Sequence, residues 1–121
     1  MADWFNNHPT WSYRALQTWL ILIGKAANRQ TLTYSDLAGL LGFEGASVLA
    51  HPLDRILCYC EVHELPPLTC LVVNQSTGLP GDGLQLDNLH SDRERVYNYA
   101  WYGLIPPTPE ELAQAHAQMR G

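Results

Sequence analysis

Positive charge is scarce in this 121-residue chain, which contains one lysine, Lys25, and six arginines. Against twelve acidic residues, these cations leave a formal net charge of −5. Residues 1–60 hold four charges of each sign, so the whole deficit lies in residues 61–121. Proteins that bind duplex DNA usually neutralise phosphates with many lysines and arginines. The composition therefore weighs against DNA binding through a broad basic surface.

Long apolar segments are also lacking. The longest uninterrupted one, Trp19–Ile23, is far shorter than the roughly 20 residues that a helix needs to span a bilayer. Residues 1–10 lack the basic and apolar regions of a signal peptide. With no secretion signal and only three cysteines, a disulfide framework is disfavoured. We therefore expect a soluble, cytoplasmic protein without a membrane partner.

The residues that are present favour one folded domain. Hydrophobic residues make up 46% of the chain and charged residues 16%, which is a globular composition. The length suits one hydrophobic core and is too short for two. We expect residues 1–121 to form a single, mostly α-helical domain with a small β-hairpin.

Periodicity and capping signals predict three helices in the first half of the chain. Apolar residues at helical spacing favour a first helix from about Trp11 to Ala27. A second helix is predicted from Thr33, which begins a capping-box pattern, to the stop at Gly42. A third begins near Pro52, a favourable first helical position, and ends before Pro66.

A strand and a hairpin are predicted next, followed by two helices. Residues 68–73 are apolar and β-prone, and 74–78 have turn composition. Residues 79–86 are predicted to be a returning edge strand or a loop. Capping boxes at Ser91 and Thr108 predict two further helices, the first ending at Gly103. Two short helices followed by a hairpin indicate a winged helix-turn-helix with extra C-terminal helices.

Two segments, TLTYSDLAGLLG (31–42) and PPLTCLVVNQSTGLPG (66–81), carry a resemblance to a known family. Together with the helix between them they resemble the C-terminal domain of alkylguanine-DNA alkyltransferases and alkyltransferase-like proteins, over about residues 30–81. The resemblance implies a winged helix that contacts DNA and rotates a nucleotide out of the duplex. Tyr34 stands where the family's tyrosine assists that rotation. Ser47 lies in a loose match to the start of the recognition helix, which lacks the family's arginine.

The strand motif departs from the family at its reactive positions. Val72 and Val73 match the end of the motif, Leu71 replaces its arginine, and Cys70 replaces its histidine. Thr69 stands where the family has the nucleophilic cysteine, and a threonine cannot supply a thiolate. In a strand, Cys70 would point to the opposite face and into the core. We therefore expect no enzymatic activity and no cofactor.

Other chemical patterns are weak. Cys58 and Cys60 would lie about 200° apart on a helix, so they could not share a metal ion with His63. Ser47, His51 and Asp54 could suggest a hydrolase, but no nucleophile-elbow motif surrounds them.

Two functions from different classes remain open. The first is a non-enzymatic module that contacts DNA weakly, with lesion-bearing DNA included among its candidate ligands. Its candidate residues are Tyr34, Ser47, Arg55, Arg29 and Thr69. The alternative is an acidic protein–protein interaction module or inhibitor in a nucleic-acid-processing or mobile-element defence system. Exposed tyrosines beside acidic residues favour that alternative, with Tyr99, Tyr102, Glu110 and Glu111 as its surface.

Overall fold

The computed structural model describes residues 10–80 and 88–121, and α-helices make up most of them. The helices are α1 (Trp11–Ala27), α2 (Tyr34–Leu41), α3 (Ala50–Val62), α4 (Leu89–Asn98) and α5 (Pro109–Arg120). Short 3₁₀ turns cover Ser47–Leu49, Leu68–Leu71 and Trp101–Gly103. The strands are β1 (Leu32–Thr33) and β2 (Val72–Val73). A mostly helical fold is therefore confirmed.

The two strands form a parallel pair. Leu32 lies opposite Val72, and Thr33 lies opposite Val73. The partner of β2 therefore precedes it in the chain, a parallel pairing that the predicted hairpin did not include. A strand over the whole of 68–73 is wrong, since residues 68–71 form a 3₁₀ turn closed by a bond from Cys70 N to Pro67 O. The returning segment predicted for 79–86 lies mostly outside the described residues.

Burial explains why the strand prediction failed. All six residues from 68 to 73 are buried, so the segment shows no alternation between a core face and a solvent face. A continuous apolar run of this kind fits any fully buried backbone, whether it is a strand or a tight helical turn. The turn predicted after it is confirmed, with Gly78 N donating to Asn74 O at 2.8 Å.

The core is centred on α1, which packs against α3 and α5. Trp19 lies at its middle and meets Tyr59 of α3 and Trp101 edge-on, with ring centroids 5.5 and 5.6 Å away. The indole nitrogen of Trp101 donates to Val96 O at 2.7 Å, so this buried polar group is satisfied. No helix of residues 10–80 and 88–121 has the length and apolar character needed to cross a bilayer.

Several helix ends follow the sequence signals. Thr33 Oγ1 accepts from Asp36 N at the start of α2, and Gly42 ends that helix in the left-handed region with φ of 78°. At the start of α5, Thr108 and Glu111 form the predicted capping box. All three ends are positions where a capping side chain or a left-handed glycine helps to satisfy backbone groups that the helix leaves unpaired.

The prediction for α4 is wrong at both ends. The helix begins at Leu89, and Ser91 Oγ donates to Asn88 O instead of capping. It ends at Asn98 instead of continuing to Gly103, because the chain turns so that Trp101 can enter the core.

The three cysteines are free and buried. Burial raises the pKa of Cys60 to about 12 and that of Cys70 to about 12, and it also raises the pKa of Cys58. The expected core position of Cys70 is confirmed, although a 3₁₀ turn and not strand alternation places it there. These thiols are protonated at neutral pH, and a protonated thiol is a poor nucleophile.

Candidate functional site: a cleft along α3

A cleft of about 570 Å³ runs along the first two turns of α3. Its apolar wall comes from Leu49, Leu53 and Leu57. Tyr34, at the start of α2, and Thr69, in the 68–71 turn, face it from neighbouring segments. The volume is within the range of roughly 300–1,000 Å³ that small-molecule sites occupy.

Local sequence signals explain how these segments meet. The left-handed Gly42 ends α2, and the 47–49 turn leads directly into α3. Thr33 belongs to β1 and also caps α2, so pairing of β1 with β2 fixes the start of that helix beside the segment that carries Thr69. The parallel strand pair therefore positions Tyr34 and Thr69 on the same cleft.

Two polar atoms at the cleft are buried and lack a hydrogen-bond partner within the described chain. They are Thr69 Oγ1 and Arg55 Nε. Thr69 is only 9% exposed, and a buried hydroxyl left without a partner costs about 1–3 kcal/mol. The Arg55 guanidinium also donates from Nη1 to His51 O at 2.9 Å, which holds it against its own helix. A bound molecule with polar edges could supply the missing partners.

The carboxylate in the cleft, Asp54, is tied to α5. Arg120 donates to it from Nε at 3.1 Å and from Nη2 at 2.8 Å, and His116 Nε2 lies 3.2 Å from its Oδ2. The Arg120 hydrogen bond is the main cause of a lowered Asp54 pKa, and burial opposes it. Because Arg120 balances its charge, Asp54 repels an anionic ligand less than an isolated carboxylate would.

This ion pair predicts an acid-sensitive contact between α3 and α5. A lowered folded-state pKa stabilises the protein above the ordinary carboxyl value of 3.8, and this stabilisation is lost as the pH falls through the folded-state pKa. Urea unfolding of wild type should therefore show a steeper loss of stability below about pH 4 than Asp54→Asn. Asp36→Asn, which alters an exposed carboxylate of α2, serves as the control. Equal slopes for all three proteins would contradict the assignment.

The cleft brings together four of the five residues predicted to contact DNA, namely Tyr34, Ser47, Arg55 and Thr69. The structure places the fifth, Arg29, outside it. Arg29 donates to both carboxylate oxygens of Glu94, at 2.8 and 3.0 Å, and lies over the Tyr97 ring. Its charge is therefore already balanced on the α4 side of the molecule.

The residues predicted to form a protein-binding surface are only partly exposed. Tyr102 is 71% exposed, and Glu110 is also open to solvent. Glu111 is exposed but its carboxylate is held in the capping box of α5. Tyr99 is half-buried, with its ring 4.6 Å from that of Trp101, so the expectation that it lies free on a helix surface is wrong.

No pattern in the sequence indicates the aromatic cluster that includes His51 of the cleft. The Trp11 ring stacks on the His51 ring, with centroids 4.5 Å apart and planes 13° apart. The Phe43 ring centroid lies 6.0 Å from that of Trp11, and the Arg14 guanidinium lies over the Phe43 ring, 4.5 Å from its centroid. These residues come from three segments, so no spacing rule could connect them before the fold was known.

The alternative chemical sites gain no support from the geometry. Asp54 bonds to α5, and the described residues show no hydrogen bond joining His51 to Ser47 or Asp54 as a hydrolase triad would require. Within 10–80 and 88–121, no group of three or more histidine, cysteine or acidic residues could hold a metal ion.

Comparisons with protein-family models, with curated proteins and with solved structures gave no significant match to this chain.

Proposed function

We propose that this protein is a non-enzymatic DNA-binding module of winged-helix type that holds an extrahelical base in the α3 cleft. The observation that carries the proposal is the convergence of Tyr34, Ser47, Arg55 and Thr69 on one cleft. These residues come from four segments of the chain. Each of them was predicted to contact DNA, either from the resemblance to alkyltransferase-like proteins or from the winged-helix pattern.

The chemistry of the cleft suits a nucleobase. Enzymes and readers that extrude a base hold it between apolar or aromatic side chains and bond its polar edge. Leu53 and Leu57 supply apolar contact, and Tyr34 supplies an aromatic ring. Thr69 Oγ1 is a buried hydroxyl that lacks a partner among the described residues and can donate to, or accept from, the edge of a base.

Electrostatics set the expected strength of binding. Arg55 is the arginine that lines the cleft, while Arg29 and Arg120 are engaged with Glu94 and Asp54. Each phosphate that a protein neutralises contributes about −0.9 to the slope of log affinity against log salt concentration. Few phosphate contacts therefore mean weak binding to plain duplex, and the affinity must come from the cleft.

The test is a fluorescence-anisotropy titration with plain duplex and with duplex carrying one bulged base. We expect the bulged duplex to bind more tightly, with a salt slope of roughly −1 to −3. Thr69→Val should weaken that binding about two- to tenfold, the value of one net hydrogen bond. Thr31→Val, at an exposed position outside the cleft, should bind like wild type. Absence of binding to both duplexes at low salt would contradict the proposal.

The same cleft should not accept an alkyl group. Thr69 has no thiol, and the Cys70 thiol is buried with its pKa raised to about 12. Incubation with duplex containing an alkylated guanine should therefore leave the intact mass of the protein unchanged. A stoichiometric mass gain located on Cys70 would overturn the assignment of position 69 to the family's nucleophile.

A second candidate function is favoured by an exposed apolar surface. Ile105 is 86% exposed and Tyr102 is 71% exposed, and Tyr102 packs its hydroxyl near Gly24 of α1. Exposed residues of this type, with acidic Glu110 close in sequence, are typical of protein-binding surfaces. Affinity capture should then retain a partner with wild type and lose it with Ile105→Asp. Leu40→Asp, at an exposed leucine of α2, is the control, and equal loss with both variants would exclude this surface.

A further inference from the structure

The stacked pair of Trp11 and His51 has an open side at the cleft. His51 lies in the first turn of α3, lines the cleft and is exposed to solvent. Trp11 covers one face of its imidazole, with centroids 4.5 Å apart. The described residues show no second ring stacked on His51, and the exposure of this residue leaves its imidazole accessible to a second planar group.

The pair is also held in place before any ligand arrives. Phe43 packs against Trp11 with an interplanar angle of 53°, and the Arg14 guanidinium lies over the Phe43 ring. A stacking surface that is already ordered loses little side-chain entropy when a ligand binds. The rings therefore form a preorganised aromatic surface beside the cleft.

We propose that the Trp11–His51 pair is a stacking platform for the base next to the one held in the cleft, and that single-stranded DNA is the preferred ligand. This inference rests on the function proposed above. The base on the platform and the neighbouring base in the cleft must both be unpaired. Two neighbouring bases of an intact duplex are paired, so intact duplex cannot bind in this way. The second, independent feature is Thr69, which lines the same cleft and is 9% exposed. Its hydroxyl has no hydrogen-bond partner in the part of the chain that the structure describes.

The charge of the protein agrees with this preference. Single-strand binding proteins gain about 1–3 kcal/mol for each base that stacks on an aromatic side chain, whatever the base. Stacking needs no additional lysine or arginine, and this chain has only seven of those residues. A single strand can follow the cleft and the platform in succession with Arg55 as the cation that lines the cleft.

The experiment compares one labelled strand in three forms: alone, annealed to its complement, and annealed to a complement that leaves one base bulged. Binding to wild type, His51→Ala, His51→Phe and His63→Ala is measured by anisotropy. His63 is the matched control, since its ring packs at a tilt against Tyr59 at the other end of α3 and does not line the cleft. Thermal melting followed by circular dichroism checks that each variant is folded.

Wild type should bind the single strand more tightly than the bulged or plain duplex. His51→Ala should reduce single-strand affinity by about fivefold or more, the low end of one base–aromatic stack. His51→Phe, which keeps a stacking ring, should retain most of the affinity, and His63→Ala should match wild type.

Failure of this inference is distinguishable from failure of the proposed function. The stacking platform is contradicted, and base binding in the cleft is retained, if the bulged duplex binds and the single strand binds no more tightly. The same conclusion follows if the bulged duplex binds and folded His51→Ala binds the single strand as tightly as wild type does. If neither the single strand nor the bulged duplex binds, both are wrong.

Discussion

Replacing Ser47 with tryptophan should eliminate the preference for duplex with a bulged base over plain duplex. Ser47 is exposed on the 47–49 turn and lines the cleft, so an indole at this position can fold into the cleft without entering the core. It would occupy the space that the base needs. Since contacts with one unstacked base are worth about 1–3 kcal/mol, we expect an affinity loss of about fivefold or more.

The control is Ser76→Trp, which makes the same chemical change on an exposed turn away from the cleft. This variant should bind the bulged duplex like wild type, because only its solvent-facing surface changes. Both variants should melt near the temperature of wild type. If Ser47→Trp retained full affinity while folded, the base would have to bind elsewhere, and the role of the cleft would be refuted.

The largest effect on stability is expected from Trp19→Ala. Trp19 is 1% exposed and stands between Tyr59 and Trp101, where three elements of the core meet. Truncating a buried aromatic residue removes its transfer free energy and leaves a cavity, at a cost of about 3–5 kcal/mol. Typical domains are stable by only about 5–15 kcal/mol, so the variant should be close to unfolding.

Urea unfolding followed by tryptophan fluorescence and circular dichroism measures this loss. Tyr102→Ala provides the comparison, since that ring is 71% exposed and its removal should change the free energy of unfolding by about 0.5 kcal/mol or less. A cost below about 1 kcal/mol for Trp19→Ala would mean that the aromatic cluster is not the centre of the core.

Local signals predicted the helices well and the sheet badly. The Thr33 and Thr108 caps and the Gly42 stop act through atoms a few residues away, so sequence spacing is sufficient to find them. The β1–β2 pair joins segments that are far apart in the chain, and its register depends on how the intervening helices α2 and α3 pack. The end of α4 failed for a related reason, since burial of Trp101 outweighs helix propensity at Tyr99.

The candidate site shows the same division. Tyr34, Ser47 and Thr69 could be nominated from the sequence because a family resemblance covers the segments that carry them. Trp11 and His51 could not, because nothing in their local sequence indicates that α1 stacks its first residue on α3. The misplacement of Arg29 has an electrostatic cause, since no composition argument could show that Glu94 already balances its charge.

The most direct test of the cleft is a methyl-resolved NMR titration with the bulged duplex. The methyl groups of Thr69, Leu53 and Leu57 line the cleft, while those of Leu40 and Ile105 lie exposed outside it. If a base binds in the cleft, its ring current should shift the methyl resonances of Thr69, Leu53 and Leu57, and these shifts should saturate with the affinity measured by anisotropy. The methyl resonances of Leu40 and Ile105 should not shift. Saturable shifts at Ile105 or Leu40 with the cleft methyl groups unmoved would contradict base binding in the α3 cleft.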